Sequence, residues 1–250
     1  KIDSSKTVKG LYSGGTLASE AGMLISEALE LGGLIKEEGY ILKSKGFEIM
    51  DLGDDIYTQG KPHPMIDPEV RKNKIREYAE DKNTAVILLD VVLGYGSHPD
   101  MAGALEPAIK EALEKAKSDN RTLYFVGTVC GTTQDPQDYN QAKQTLEEAG
   151  VLVEDSNAKA VRLALHLMGK DMEDAPKKVT PYTQEKRKLP KASEAVTSLL
   201  KNKPVVINVG VESFGEVVRE HGGEDVQYNW KPVAGGNRKL SKILNQLKQV

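Results

Sequence analysis

Short apolar runs alternate with amphipathic stretches from Thr7 to about Gly169. Val8 to Tyr12 reads as a strand, and the helical spacing of Leu17, Ala21, Leu24, Ala28 and Leu31 predicts a helix after it. Phe47 to Leu52 forms a second strand candidate. Asp67 followed by Pro68 opens a helix to Tyr78, the acid as cap and the proline at the first helical position. Ala85 to Val92 is apolar almost throughout, as in a strand covered on both faces of a parallel sheet. A helix from about Pro99 to Lys117 follows, then a strand from Leu123 to Val126. Asp135-Pro136 starts a helix that Gly150 stops, Val151 to Val153 forms a short strand, and Ser156-Asn157 cap a helix to about Met168. Strict alternation of strand and helix predicts an α/β fold with a doubly wound parallel sheet.

Past Lys170 the periodicity fades into Lys, Pro, Thr and Glu, so residues 171–203 read as a linker or surface extension, with room for a short helix from Ala192 to Leu200. The expected organisation is a main domain over 1–170, this linker, and a small α/β segment over 204–250. In that segment, Pro204 to Val209 and Val226 to Trp230 read as strands around a helix from Val211 to His221. Leu240, Ile243, Leu244 and Leu247 stand at i, i+3, i+4 and i+7, a narrow apolar stripe on a terminal helix.

Composition narrows the function classes. The 250 residues carry 34 Lys and Arg against 37 Asp and Glu, a formal charge of −3, which argues against gripping a nucleic-acid backbone. Aromatics at 5% weaken any base-stacking platform. One cysteine excludes an internal disulfide and points to a reducing compartment. No apolar run approaches the roughly 18 residues of a membrane span, and no basic-then-apolar leader stands at the start. The expectation is a cytoplasmic globule with neither nucleic-acid nor membrane partners. The chain begins at Lys1 without Met, which suggests part of something longer.

In open parallel sheets ligands bind beyond the carboxyl ends of the strands. There the first strand gives Ser13-Gly14-Gly15-Thr16, the third Gly94-Tyr95-Gly96-Ser97-His98, and the fourth Gly127 through Gly131-Thr132-Thr133. Glycines, hydroxyls and a helix start after each loop make candidate anion sites for a small phosphorylated or carboxylate ligand. Capping alone explains any one such loop; three on one edge point to function. Known fingerprints fail: there is no Walker loop, Pro99 replaces the third glycine of a dinucleotide motif, and neither Ser97 nor Ser213 has a nucleophile-elbow context.

Asp54, Asp55 and His63 form a dense polar patch able to wall the site or to hold Mg²⁺, with a turn and solvated acids as the plainer reading. His98, at a helix start, is a candidate acid/base or phosphate-accepting group. His166 and His221 read as surface or helix-end residues, and Cys130 as a small buried thiol.

The loops carry a resemblance. Gly10 to Ala21, Asp51-Leu52-Gly53-Asp54-Asp55 with His63-Pro64-Met65-Ile66-Asp67-Pro68, Leu89-Asp90-Val91-Val92 with Gly94 and Gly96, Gly131-Thr132 with Asp135-Pro136-Gln137, and Pro232 to Asn237 together resemble the FdrA family, which is similar to the succinyl-CoA synthetases. The resemblance implies a flavodoxin-like CoA-ligase domain with a C-terminal tail, separated from an N-terminal CoA-binding domain. It implies phosphate-cradling starts at Gly14-Gly15-Thr16 and Gly94-Tyr95-Gly96-Ser97, and CoA, a nucleotide or Mg²⁺ as cofactors. Where the α-type synthetase domain has Gly-His-Ala-Gly with its phosphorylated histidine, this chain reads Ser19-Glu20-Ala21-Gly22. Glu20 cannot carry phosphate as imidazole does; holding a cation or acting as a base is the role left to it. FdrA proteins are also associated with oxamate carbamoyl transfer in allantoin catabolism, alongside partner subunits. A non-catalytic interaction domain is the third expectation, with the terminal apolar stripe as a docking face.

Overall fold

A computed structural model describes residues 6–172, 190–230 and 238–247. The chain divides into a unit of residues 1–177 and a unit of residues 178–250.

In the first unit the strands are β1 (Thr7–Tyr12), β2 (Tyr40–Ser44), β3 (Phe47–Asp51), β4 (Thr84–Val92), β5 (Tyr124–Cys130) and β6 (Val151–Glu154). They form one sheet in the order β2-β3-β1-β4-β5-β6, parallel throughout except for β2, which runs antiparallel to β3. The helices are α1 (Gly15–Leu29), α2 (Asp55–Thr58), α3 (Glu69–Glu80), α4 (Met101–Ser118), α5 (Tyr139–Glu148) and α6 (Asn157–Leu167). This is the doubly wound α/β fold. Odd and even positions of β4 serve opposite cores, as strand alternation requires. Ile87, Leu89 and Val91 pack with the apolar faces of α3, α4 and α5, while Val86 and Leu88 pack with those of α1 and α6.

Several boundaries differ from the sequence reading for local reasons. The edge strand β2 was not foreseen, because Tyr40 to Ser44 is a lone half-buried run without strict alternation. β5 extends to Cys130, so Gly127 to Cys130 are strand residues paired with β4, not a ligand loop. The helix expected from Asp135-Pro136 begins instead at Tyr139, because the Asp138 carboxylate accepts from the Gln141 amide at 2.9 Å. Likewise α4 begins at Met101, capped by Asp100. Cys130 is exposed at the end of β5, not buried.

In the second unit, α7 (Glu194–Lys201) lies in the stretch read as a linker, followed by β7 (Val205–Val209), α8 (Glu212–Glu220), β8 (Glu224–Tyr228) and α9 (Arg238–Leu247). β7 and β8 are parallel, and α8 connects them. Pro232 to Asn237 of the resemblance fall outside the described residues. Among the described residues no helix is long and apolar enough to cross a membrane.

Candidate functional site

The strand order reverses its direction of growth between β1 and β4, and a doubly wound sheet opens its crevice at that switch point. The register makes the opening: Leu11 pairs with Leu89, β1 leaves the sheet after Tyr12, and β4 continues to Val92. Into the gap goes Asp90. Its Oδ1 accepts the Ser13 amide and its Oδ2 the Gly14 amide, each at 2.8 Å, and the Ser13 hydroxyl adds a bond at 3.1 Å. Arg71, reaching from α3, puts Nη2 3.2 Å from Asp90 Oδ1 and also donates to the Asp90 carbonyl. Both side chains are sealed from water, Asp90 at 0% and Arg71 at 1% exposure. Burial pulls the guanidinium pKa down while Asp90 pulls it back up.

The candidate loops are therefore unequal. Ser13 is buried with its hydroxyl on Asp90, so it faces the fold's interior. Gly94 donates its amide to the Gln137 side chain at 2.9 Å and returns its carbonyl to the same amide group at 3.0 Å. Gln137 also donates to the His98 carbonyl, locking the Gly94 to His98 turn. Positive φ at Gly94 (133°) and Gly96 (81°) explains both glycines, and leaves Tyr95 exposed on the turn between them. Ser97 bonds its amide back to the Gly94 carbonyl. The Thr132 amide goes to Asp135 at 2.6 Å; Gly131 lies against Leu93, and Thr133 rims an open depression with Asp135 and Asp138.

The start of α1 is different. Its N-cap, Gly14, places no side chain on the first turn, and the first intrahelical bond is Ala18 N–H to the Gly14 carbonyl. The amides of Gly15, Thr16 and Leu17 are the orphan donors of the first turn. Gly15 and Thr16 of that turn line a cleft of about 380 Å³ together with Ser19, Lys36, Tyr40, Asp51 and Asp54. Every other described helix of this unit brings a carboxylate or hydroxyl to its first amides: Asp54 for α2, Asp67 for α3, Asp100 for α4, Asp138 for α5 and Ser156 for α6.

Asp51 stands closest to that first turn. A methyl group on Gly15 would sit 2.6 Å from its Oδ2, so only glycine lets the carboxyl lie against α1. Burial raises the Asp51 pKa, partly offset by the Gly53 amide bonded at 2.9 Å. Asp54 and His63 sit beside it, Asp54 capping α2 and His63 using Nδ1 to accept the Met65 amide, whereas Asp55 is the exposed first residue of α2. Among the described residues no three His, Cys, Asp or Glu side chains gather to hold a metal.

Glu20 points elsewhere: its carboxylate accepts from Asn157 of α6 at 2.7 Å, and the same Asn157 donates to the Leu17 carbonyl and accepts from buried Tyr12. It fastens α1 to α6. His98 accepts the Asp100 amide on Nδ1 and donates its own amide to the Met65 carbonyl, stitching the β4 loop to the segment after β3.

Arg71 and Asp90 were not singled out from the sequence. The signals were there: an aspartate inside Ala85 to Val92, and an arginine on the α3 face that also carries Ile75, Tyr78 and Ala79, all buried.

Residues 11–167 match the CoA-ligase family. The chain belongs to the CoA-ligase family. The uncharacterized protein YahF of Escherichia coli (strain K12) is 37% identical over 176 residues, covering 67% of this chain and 34% of the relative. This chain therefore spans about a third of the length of the curated relative it matches. All of the glycine loops, Asp90 and Arg71 lie inside the CoA-ligase match.

Proposed function

We propose that the first unit is the ligase-like domain of an FdrA-type, acyl-CoA-synthetase-like protein, working in small-molecule metabolism in the cytoplasm. It holds the phosphate of an acyl phosphate, of CoA or of another small phosphorylated ligand at the start of α1. The observation that carries this is the uncapped first turn of α1 facing a cleft that also holds the Thr16 and Ser19 side chains and Lys36. Orphan amides at a positive helix end bind anions without needing an excess of basic residues, which fits a chain of net charge −3. The donor set suits a phosphate. Asp51 suits one in its protonated form, which its burial favours. CoA or a nucleotide, when bound, supplies the thiol or the phosphoryl group; this chain's part is to grip and orient the anion. Glu20, tied to Asn157, is held away from the cleft side of α1, so the geometry favours binding over a phosphoryl relay at that position.

Isothermal titration of the chain with CoA, inorganic phosphate and carbamoyl phosphate tests the reading. Binding of at least one, weakened by Lys36→Met, is expected; binding of none removes it.

A second reading, a subunit of an oxamate carbamoyltransferase complex, draws on the second unit. Val205, Ile207, Val209, Val226 and Tyr228 share the sheet face opposite the one bearing Asn208, Asp225 and Gln227, and all five are exposed, Ile207 at 69%. Such a face suits other subunits or a further domain. This reading expects carbamoyl transfer only with added partner proteins; oxamate-dependent phosphate release by the chain alone contradicts it. A purely interacting domain would instead tolerate Gly15→Ala and lose association on Leu244→Asp.

A further inference from the structure

We propose that Arg71 and Asp90 are positioning residues for the anion cleft at the start of α1, an inference that rests on the reading of that cleft given above. Asp90 has two effects there, and they oppose each other. By holding the Ser13 and Gly14 amides at 2.8 Å it fixes the N-cap, and so the direction in which the Gly15, Thr16 and Leu17 amides point. At a helix start with no side-chain cap, these two bonds are what hold the N-cap itself. Yet the same carboxylate lies just beneath the first turn: a methyl on Gly14 would meet Oδ2 at 3.1 Å. A bare negative charge at that depth would oppose the positive end of α1 and repel an incoming phosphate.

Arg71 removes the conflict. With Nη2 3.2 Å from Oδ1 and only 1% of its surface exposed, it neutralises Asp90 where water cannot. The grip on the amides stays while the charge beneath them is cancelled. The guanidinium keeps two buried N–H-bearing nitrogens, Nε and Nη1, without partners among the described residues. Satisfying its own donors is thus not what the position achieves; placing a cation on Asp90 is. Asn157 secures the other side of the same turn through the Leu17 carbonyl, so the α1 start is held from both the β4 and the α6 sides.

A merely structural tie between α3 and β4 would need a donor at residue 71; the proposal needs a charge. Arg71→Lys and Arg71→Gln separate the two, because each keeps a donor and only lysine keeps the charge. Inorganic phosphate is titrated into the full 250-residue chain and each variant, and the Gly15 and Thr16 amide resonances give the affinity. The expected result is Arg71→Lys within threefold of wild type and Arg71→Gln at least tenfold weaker. If Arg71→Gln does not fold, the double variant Arg71→Gln/Asp90→Asn, which buries no charge, takes its place. It must bind at least tenfold more weakly than Arg71→Lys, because a carboxamide offers one acceptor where two amides need holding. Equal phosphate affinity in Arg71→Lys and the uncharged variant overturns the proposal while leaving the cleft reading intact. Wild-type resonances at Gly15 and Thr16 that phosphate does not move overturn the cleft reading itself.

Discussion

The helix starts that follow β1 and β5 make an instructive pair. At α5, Asp138 accepts the Gln141 amide and Asp135 accepts the Thr132 amide, so the loop and the helix start satisfy themselves. At α1, the loop amides are satisfied from below by Asp90, and the helix start is left bare toward the cleft. Glycines and hydroxyls precede both helices. What separates a self-capped helix start from one left open to a cleft is therefore the partner of the first-turn amides, which composition does not report. A buried cation–anion pair supports the open start; self-supplied caps close the other.

The largest effect that can break this contrast is Arg71→Met. It leaves Asp90 as an uncompensated buried charge, and a loss of about 3–5 kcal/mol is expected from chemical denaturation; a loss below 1 kcal/mol would mean that Asp90 is relieved some other way. Gly94→Ala comes next. At φ of 133° an alanine is strained, so about 1–3 kcal/mol should be lost without changing phosphate affinity, since the Gly94 amide already serves Gln137. Asp138→Ala should cost about 1 kcal/mol of stability and leave anion binding untouched. Phosphate binding that appears at the newly uncapped α5 would break the comparison, since it would show that a bare start suffices without a buried pair beneath it.

The smallest effect concerns Asp51. Its folded-state pKa lies above the unfolded value, so the folded state binds the proton more tightly and loses stability as pH climbs from the unfolded carboxylate range through the raised folded pKa. Asp51→Asn should therefore melt at or above wild type at pH 7 and lose that advantage near pH 4. It should also bind phosphate more tightly than wild type at pH 7. A variant that binds more weakly at pH 7 would assign Asp51 a direct role in holding the ligand.

Much of the architecture could be read from periodicity because it reports burial. β4 is recognisable since both its faces are covered, and α1, α3, α4, α5 and α6 since each shows one stripe to the sheet; α2 buries no residue and carries no such stripe. β2 escaped because an edge strand with one half-exposed face carries little pattern. The site was legible only in part. Glycines mark the α1 loop in the sequence, but Ser13 serves Asp90, and Gly94 and Thr132 are bonded within the fold. Their partners Gln137 and Asp135 lie far along the chain or within an ordinary turn, and no local spacing marks a long-range acceptor. Arg71 was hidden for a further reason: a charged residue on a buried helix face reads as a break in the stripe unless its counter-charge, on a strand 19 positions away, is considered with it.

The most direct test of the account is a phosphate titration followed by amide resonances across the wild-type chain. The account predicts shifts concentrated at Gly15, Thr16 and Leu17, with Gly103 at the start of α4 and Gln141 at the start of α5 unmoved. Shifts of equal size at all three helix starts, or none at α1, would contradict it.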